Sequence, residues 1–483
     1  MQQINRRHFI KGTAIAGAAI SLSPRSWGQT QGSNDALRVA VVGFNGRGKD
    51  HISGYKALQK SENVRIVALC DVDSTVLSKG AADFEQNGQK VETYKDIRKL
   101  LENKDVDIIS IATPNHWHAL AAIWSVQAGK DVYLEKPVSH NVSEGRRIVE
   151  AARKYNKIVQ TGTQSRSSSG ILEAVEWIKA GNLGKIVIAR GLCYKPRPSI
   201  GKSEGEQPIP ASIDYDLWCG PAAKLPLNRK KLHYDWHWVW NTGSGDLGNQ
   251  GIHQMDICRW FLGEQELAPR VFSVGGRLGY DDDGETPNTM MIFQDYAKAP
   301  LIFEVRGLPE KKGSKNMGPY HSAAVGCLIE CENGHVLVPD YTQATVFDKE
   351  GTQIQHFKGS SSHFANFIKA VRSRKQTDLT ADILQGHLSS ALCHTGNISY
   401  RVGSKKAPGE IKEAIKGDKD ATNTFDRMAA HLEANEVDLN KSLATLGMVL
   451  KMDTKSEKFL DNPQANALLT REYRKPFVVP EKV

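Results

Sequence analysis

Three residues have side chains of the types that proton transfer from an alcohol requires. Lys136 lies in the sequence Glu135-Lys136-Pro137, and Asn249 and His253 lie four residues apart further along the chain. A lysine in a water-poor pocket has a lowered pKa, so Lys136 is our first candidate for the general acid and base. The spacing of Asn249 and His253 places both on one face of a helix, where an amide and an imidazole can hydrogen-bond a hydroxyl. Buried residues of these types can also serve only as hydrogen-bonding groups, so the surrounding elements matter.

Lys136 follows a segment that predicts a strand, a helix and a second strand. Asp107–Ala112 and Val132–Leu134 are short apolar runs, and a helix between them makes them a parallel pair. Ligands in such sheets bind at the carboxyl ends of the strands. We therefore expect the polar residues after the two runs to line one crevice and to bind a nucleotide: Thr113, Asn115, His116, His118, Glu135 and Lys136.

A glycine-rich loop follows an earlier predicted strand, Leu37–Val42. Its glycines permit a tight turn and let a pyrophosphate approach the amides at a helix start, as in a variant of the dinucleotide fingerprint. A second strand, Val64–Cys70, ends at Asp71, where a carboxylate commonly accepts hydrogen bonds from the adenosine ribose. NADP stays an alternative to NAD, because a guanidinium in the loop could meet a 2′-phosphate. The predicted cofactor residues here are Gly43, Asn45, Gly46, Arg47, Gly48 and Asp71.

These motifs, in this order, resemble those of the Gfo/Idh/MocA family, the glucose-fructose oxidoreductase and inositol dehydrogenase family. The resemblance spans residues 37–260 and is carried by GFNGRG, CDVD, ATPNHWH, LEKP, GTQSRS and GDLGNQGIHQMD; residues 363–403 are similar to a bacterial subgroup. It implies an α/β protein with an N-terminal Rossmann domain, a doubly wound parallel sheet. A C-terminal α/β domain with an open, mostly antiparallel sheet would carry the substrate pocket and often an oligomer interface.

The resemblance also implies domain limits and site residues. We expect the Rossmann domain over residues 37–162, the substrate and oligomerisation domain over 163–403, and a C-terminal extension over 404–483 that packs on the body. In the family pattern, a lysine, an aspartate and a histidine four residues later contact the reacting hydroxyl. Here Asn249 stands at the aspartate position, and an amide cannot take up a proton as a carboxylate can. Either His253 and Lys136 share that role or the chemistry departs from simple oxidation.

The candidate substrate residues follow the last strand of the first domain. Gln164 is expected on the nicotinamide side of the cofactor. Residues 233–240 contain three tryptophans and two histidines, which could fill a core or present flat faces to a sugar ring. The predicted substrate residues are Lys136, Arg166, Tyr194, Lys195, Arg197, Trp236, His237, Trp238, Asn249 and His253.

Three functions fit these residues. The leading hypothesis is an NAD(P)-dependent oxidoreductase that acts on a secondary hydroxyl of a sugar, glycoside or polyol by hydride transfer to nicotinamide. The second is a redox-neutral glycoside hydrolase, in which transient oxidation to a keto sugar permits elimination of the aglycone before water and hydride return; this would account for Asn249. The third is a nucleotide-bearing sugar-binding protein without turnover, against which the intact Lys136 and His253 count.

The N-terminus predicts export. Arg6 and Arg7 precede an uncharged, mildly apolar stretch, Gly12–Leu22, that is too short to span a bilayer. This pattern indicates a twin-arginine signal over residues 1–28 and a linker over 29–36, with export through that machinery to the periplasm. Because the route carries folded proteins, we expect NAD to be loaded in the cytoplasm and held tightly.

Composition limits the remaining partners. The chain has a net charge of +9, but its basic residues are scattered, so nucleic acid is not a predicted partner. A small carbohydrate and further copies of the same chain are the expected partners. The seven cysteines are far apart except for one C-x-x-x-C, and we predict neither a metal site nor an essential disulfide.

Overall fold

The computed structural model describes residues 35–483. The predicted export signal and most of the predicted linker therefore lie outside the described residues.

The first domain is a parallel sheet with connecting helices. Its strands are β1 (Leu37–Val42), β2 (Val64–Cys70), β3 (Glu92–Tyr94), β4 (Ile108–Ile111), β5 (Asp131–Leu134) and β6 (Val159–Thr161). Its helices are α1 (Gly48–Leu58), α2 (Ser74–Gln86), α3 (Ile97–Leu101), α4 (Asn115–Gln127) and α5 (Val142–Lys154). The strand order is β3-β2-β1-β4-β5-β6, which confirms the predicted doubly wound Rossmann sheet. The order reverses between β1 and β4, and their carboxyl ends open a crevice there.

Helix α4 is buried along almost its whole length. Its apolar side chains share a core with the central strands and with two residues from the end of the chain, Phe477 and Val479. Strands β4 and β5 are buried at every position, which explains why they read as continuous apolar runs rather than as alternating ones.

A second, larger sheet follows. Its strands are β7 (Ile186–Tyr194), β8 (Arg270–Gly276), β9 (Thr289–Gln294), β10 (Leu301–Arg306), β11 (Val325–Cys331), β12 (Gly334–Val338), β13 (Gln343–Asp348), β14 (Gln353–Lys358), β15 (Ser404–Lys406), β16 (Ala444–Leu446), β17 (Leu450–Asp453) and β18 (Lys458–Phe459). The order is β14-β13-β12-β11-β7-β10-β9-β8-β16-β15, and β17 pairs with both β8 and β18. Only β7 and β10 pair in parallel, so the predicted mostly antiparallel sheet is confirmed.

Both faces of the second sheet are covered. The remaining helices are α6 (Ser169–Lys179), α7 (Tyr215–Cys219), α8 (Ile252–Leu262), α9 (His363–Ser373), α10 (Ile383–Arg401), α11 (Pro408–Ile415), α12 (Lys419–Ala434) and α13 (Pro463–Ala467). Of these, α9 packs on the first domain and α7 lies beside the end of β2. Alternate residues of β10 face opposite ways: Leu301 and Phe303 share a core with α8 and α10, whereas Ile302 shares one with α12. Residues beyond 403 thus supply sheet strands and the α12 layer.

A buried ion network fastens α12 to the sheet. The Glu304 carboxylate on β10 accepts hydrogen bonds from Arg190 Nη1 at 3.1 Å, from Arg427 Nη2 at 2.5 Å and from the Tyr194 hydroxyl at 2.7 Å. Burial acts to raise the pKa of Glu304, but the hydrogen bond and charge of Arg427 and the charge of Arg190 outweigh it, and the pKa is lowered. Glu304 is therefore ionised at neutral pH and compensates two arginines that cannot lose their charge.

Replacement of Glu304 should weaken the second domain. Glu304→Gln leaves Arg190 and Arg427 without their counter-charge, and we expect the free energy of unfolding to fall by about 3–5 kcal/mol. Urea denaturation followed by tryptophan fluorescence measures the loss. Glu433→Gln removes an exposed carboxylate from α12, the helix that carries Arg427, and should change the free energy of unfolding by no more than about 0.5 kcal/mol. Equal losses in the two variants would show that the network contributes nothing special.

Candidate nucleotide and substrate site

The glycine loop packs against the end of β4. Gly43 has a φ of +75°, and a Cβ there would lie 2.9 Å from the Thr113 backbone. A Cβ on Gly48 would lie 2.1 Å from the Gly43 carbonyl oxygen, whereas nothing lies within 4 Å of one on Gly46. Helix α1 begins directly after the loop, and no side chain caps it. The turn thus requires glycine at 43 and 48, and the space beside Gly46 at a helix start suits a phosphate.

Asp71 fixes the other side of this loop. Its carboxylate accepts hydrogen bonds from the backbone amides of Phe44 and Asp73, both at 3.0 Å. Burial raises the pKa of Asp71, and these two hydrogen bonds oppose the rise. The carboxylate is held in one orientation at the end of β2, where a ribose diol would meet it.

A cavity of about 400 Å³ runs from Asp71 to Lys136 between the two domains. Two buried oxygens of its lining residues, Thr113 Oγ1 and Asn115 Oδ1, have no hydrogen-bond partner, as expected of groups that await a polar ligand. The cavity size and these groups fit a dinucleotide. The predicted residues that line it are Gly43, Asn45, Gly46, Arg47, Asp71, Thr113, Asn115, His118, Glu135, Lys136, Trp236, His237 and Asn249.

Glu135 is buried in the wall of the cavity. Its Oε1 accepts a hydrogen bond from Arg47 Nε at 2.9 Å and lies 3.2 Å from His51 Nε2. Burial acts to raise the pKa of Glu135, but the hydrogen bond of His51 and the charge of Arg47 hold it well below its usual range. Arg47 also pairs with Asp50. Its guanidinium is therefore held by two acids and is not turned toward the place beside Asp71 where the 2′-phosphate of NADP would lie.

Lys136 lies partly exposed at the inner end of the cavity. Its Nζ donates a hydrogen bond to the backbone oxygen of Asn249 at 2.7 Å. Desolvation lowers the pKa of Lys136, with Glu135 acting to raise it and Arg47 to lower it further. The amine of Lys136 therefore loses its proton at a lower pH than the amine of an exposed lysine.

His253 lies behind this lysine. Its Nδ1 is buried without a partner, and its ring centroid lies 4.9 Å from that of Tyr341. Burial, and then the charge of Lys136, lower the pKa of His253 to about 3. A histidine that is neutral at ordinary pH can accept or donate a hydrogen bond, but it is a poor acceptor of a proton. This geometry favours Lys136 as the base and His253 as an orienting group.

A π-helical turn, Leu247–Gly251, joins the loop to α8. Such turns are widened by one residue, so Asn249 and His253 do not keep the simple four-residue spacing of an α-helix. Asp256, one turn further on, accepts hydrogen bonds from Arg166 at 2.8 and 2.9 Å and from Ser389 at 2.6 Å. Asp256 is therefore held by buried partners on this helix and does not line the cavity.

The structure does not bring several predicted cofactor residues to the cavity wall. His116 is buried, and its ring nitrogens lie 2.8 Å from the Trp218 carbonyl oxygen and 3.4 Å from that of Thr242. Gln164 contacts the Tyr133 hydroxyl and Glu135 instead of an open space. Gly48 lies behind the turn and does not line the cavity; because it has no side chain, its backbone can pack against the Gly43 carbonyl oxygen.

Four predicted substrate residues, Arg166, Tyr194, Lys195 and Arg197, also lie outside the cavity wall and have other partners. Tyr194 faces α12, where its hydroxyl donates to Glu304, and Arg166 is paired with Asp256. Arg197 pairs with Asp246 at 2.7 Å and lies over the Trp238 ring, while Lys195 donates to Gln250 at 2.9 Å. Strand alternation explains Tyr194, since neighbouring residues of a strand face opposite ways.

Sequence reasoning missed part of the cavity wall. The missed residues include Lys95, Asp96 and Ile97 around the start of α3, Trp117 on α4, and, from the segment after β7, Leu217, Trp218, His233 and Tyr234. It also missed His51, although Gly48, His51 and Tyr55 recur at helical spacing and are the buried residues of α1. The loop residues follow no periodic pattern, so only the course of the chain reveals them.

Two family models match this chain. Residues 37–163 match "Oxidoreductase family, NAD-binding Rossmann fold", and residues 185–431 match "Oxidoreductase family, C-terminal alpha/beta domain", both of Gfo/Idh/MocA. The chain belongs to the Gfo/Idh/MocA oxidoreductase family. Its cofactor is NAD, which agrees with Asp71 at the end of β2 and with the position of Arg47.

Curated relatives in this family differ in activity. Inositol 2-dehydrogenase of Salmonella typhimurium is 28% identical over 159 residues, which cover 33% of this chain and 46% of the relative. A glycosyl hydrolase family 109 protein of Shewanella putrefaciens is 32% identical over 180 residues, which cover 32% of this chain and 39% of the relative. The matched part is thus less than half of either relative.

Solved structures share the fold over most of the chain. The WlbA dehydrogenase of Bordetella pertussis, in complex with NADH and UDP-GlcNAcA, has a TM-score of 0.55 at 20% identity and covers 74% of this chain and 94% of its own. Levoglucosan dehydrogenase, in complex with NADH and levoglucosan, has a TM-score of 0.55 at 18% identity and covers 74% and 95%.

Within residues 35–483, no helix is long and apolar enough to cross a membrane, and no group of His, Cys, Asp or Glu side chains is arranged to hold a metal ion. All seven cysteines are free thiols, and six of them are buried.

Two of the three glycines of the loop, Gly46 and Gly48, should respond differently to alanine. In Gly46→Ala the methyl group enters open space, so we expect unchanged thermal stability but NAD affinity lowered at least about tenfold, because the phosphates lose close approach. Gly48→Ala should lower the melting temperature, because its Cβ meets the Gly43 carbonyl. Calorimetric titration with NAD and thermal unfolding measure both effects. Full NAD affinity in Gly46→Ala would place the phosphates elsewhere.

Proposed function

We propose that this protein oxidises a secondary hydroxyl of a sugar, glycoside or polyol, with NAD as the hydride acceptor. The observation that carries the proposal is the position of Lys136, a desolvated lysine of lowered pKa at the inner end of the nucleotide cavity. The named activities of the relatives, inositol 2-dehydrogenase and levoglucosan dehydrogenase among them, support a polyhydroxylated substrate.

The residues divide the chemistry between them. Bound NAD supplies the nicotinamide carbon that accepts hydride. Lys136 Nζ, held by the Asn249 carbonyl, takes the proton of the substrate hydroxyl when its amine is neutral. His253 hydrogen-bonds the same or a neighbouring hydroxyl, because its pKa of about 3 keeps it neutral. Trp236 and His237, whose rings stack with centroids 3.6 Å apart, form a flat wall at which a sugar ring could lie.

Loss of the lysine should separate binding from chemistry. In Lys136→Met the side-chain volume is kept but no group takes the hydroxyl proton, so we expect turnover to fall by at least about 10²-fold while NAD still binds. Reduced-cofactor absorbance with a sugar panel measures turnover, and calorimetric titration measures NAD affinity. Lys79→Met, which removes an exposed lysine of α2 away from the cavity wall, is the matched control and should retain most of kcat. Unchanged turnover in Lys136→Met would remove the basis of the proposal.

The pH profile should identify the lysine as the base. Because neutral Lys136 is the active form, kcat/KM should rise with pH through its apparent pKa, which lies below the ordinary 10.5. Glu135→Gln removes the charge that raises the pKa of Lys136, so the rise should move to lower pH. Profiles recorded for both proteins decide this; a shift toward higher pH in Glu135→Gln would contradict the assigned base.

A second candidate is the redox-neutral glycoside hydrolase, in which the cofactor is used and restored. Two observations favour it: Asn249 provides an amide where the family pattern has an aspartate, and several relatives are named glycosyl hydrolase family 109 proteins. The nearest acid on this turn, Asp246, is neutralised by Arg197 and does not replace the missing carboxylate.

One experiment separates the two. Purified protein is denatured and any released nucleotide identified by mass, and fresh enzyme is then incubated with nitrophenyl glycosides and with free sugars. Aglycone release without net NADH formation supports the hydrolase, and NADH formation from a free sugar supports the dehydrogenase. A protein that binds sugars and NAD but forms neither product would be a sugar-binding protein without turnover.

We further propose export through the twin-arginine route and assembly into homo-oligomers. The Arg6-Arg7 pair and the uncharged stretch after it support export, and the family resemblance supports self-association. Replacement of both arginines by lysine should keep the protein in the cytoplasm on cell fractionation, and sedimentation velocity measures the assembly state; a periplasmic double variant or a monomer would refute the respective proposal.

A further inference from the structure

One segment of the second domain covers the nucleotide cavity. We define the cover as residues 215–220, which include α7. Leu217 and Trp218 of the cover line the cavity. The preceding residues are fastened at the end of β2, where Ser74 N donates to Ser212 O at 2.8 Å and Asp214 N donates to Val72 O at 3.1 Å. The cover therefore lies on the Asp71 side, over the predicted adenosine end.

The cover is also fastened to α4. Trp117 Nε1 donates to the carbonyl oxygens of Leu217 at 2.9 Å and of Trp218 at 3.1 Å, and His116 Nε2 lies 2.8 Å from the latter oxygen. Trp117 itself lines the cavity. Motion of the cover away from the nucleotide requires these contacts to break.

A distant part of the chain closes over the same contacts. We define the tail as residues 471–479. Arg474 Nη1 donates to Asp216 Oδ1 at 2.9 Å, Nη2 to Asp216 O at 2.7 Å and Nε to Gly220 O at 3.2 Å. One guanidinium thus holds both ends of the cover. Arg471 adds hydrogen bonds to Asn241, beside the aromatic segment, at 2.9 and 2.7 Å.

Phe477 anchors the tail. It is 1% exposed, and its ring centroid lies 5.5 Å from that of Trp117 and 6.4 Å from that of Trp124. The guanidinium groups of Arg98 and Arg474 lie 5.0 and 4.9 Å from the ring centroid. The tail therefore joins α4 and the cover through one buried aromatic and one arginine.

We propose that the tail locks the cover over the bound nucleotide and so slows the release of NAD(H). Arg474 and Phe477 are positioning residues: neither lines the cavity, and both act through Trp117 and the cover. Release of the nucleotide past the cover breaks charge-assisted hydrogen bonds and exposes an aromatic ring, which slows it. The inference rests on the proposed function only for the identity of the nucleotide.

The test is the rate of NADH release from the full-length protein. Each protein is loaded with NADH, and loss of NADH fluorescence is followed after a chase with excess NAD, without sugar. We expect release at least about tenfold faster in Arg474→Gln and in Phe477→Ala than in the unmodified protein. Two matched controls change exposed neighbours: Lys482→Gln removes one positive charge, and Val478→Ala truncates a side chain that is 42% exposed. Both should release NADH within about twofold of the unmodified rate.

Thermal unfolding of each protein separates positioning from a loss of structure. Faster NADH release from Arg474→Gln with an unchanged melting temperature supports the inference that the tail holds the cover in place. This result is sufficient even if Phe477→Ala does not fold. Equal release rates in Arg474→Gln and the controls overturn the inference. Because no sugar is present, this outcome leaves the proposed oxidation untouched, and an absence of turnover on every sugar leaves the release measurement valid.

Discussion

The buried carboxylate of Glu135 is the charge around which the site is arranged. An isolated ionised carboxylate away from water would be shifted toward its neutral form, so its persistence depends on partners. Arg47 and His51 supply these from α1, directly after the glycine loop. A Cβ on Gly162, after β6, would lie 2.8 Å from the same carboxylate. One charge therefore ties the loop, the end of β5 and the end of β6 into a fixed unit next to Lys136.

The charges of Glu135 and Arg47 also set the pKa of Lys136. Glu135 opposes the desolvation of Lys136, and Arg47 limits that effect by compensating Glu135. The second domain contributes a carbonyl oxygen from Asn249 and a neutral imidazole from His253 rather than another carboxylate. Lys136 thus lies between a carboxylate of the first domain and a carbonyl oxygen of the second.

The parts of the fold that could be predicted from sequence are those with a local physical signature. Continuous apolar runs indicated β4 and β5, and closely spaced glycines indicated the tight loop between β1 and α1. At Gly43 and Gly48 the structure leaves no room for a Cβ atom. The sequence Glu135-Lys136 could be placed because it follows such a run. By contrast, His116 and His118 are two residues apart on one helix, and nothing local tells which one reaches the cavity.

Long-range pairing accounts for most of what sequence reasoning could not predict. Tyr194 and Arg166 found buried ionic partners, Glu304 and Asp256, that lie far along the chain. Trp218 reaches the cavity from α7, a short helix held by hydrogen bonds of its flanking residues to the end of β2 and to the tail. The π-helical turn at Leu247–Gly251 has no signature in the spacing of its residues.

The position of the tail has a consequence for the order in which the molecule matures. Domains generally fold as units and N-terminal ones first during synthesis, so the Rossmann sheet and its glycine loop can form while the ribosome still holds the later residues. The sides of Trp117 and Trp124 that pack on Phe477 stay open until Phe477 emerges, and β8 lacks its neighbour β16 until Ala444–Leu446 emerge. The nucleotide cavity can therefore form before the tail that holds its cover has been translated.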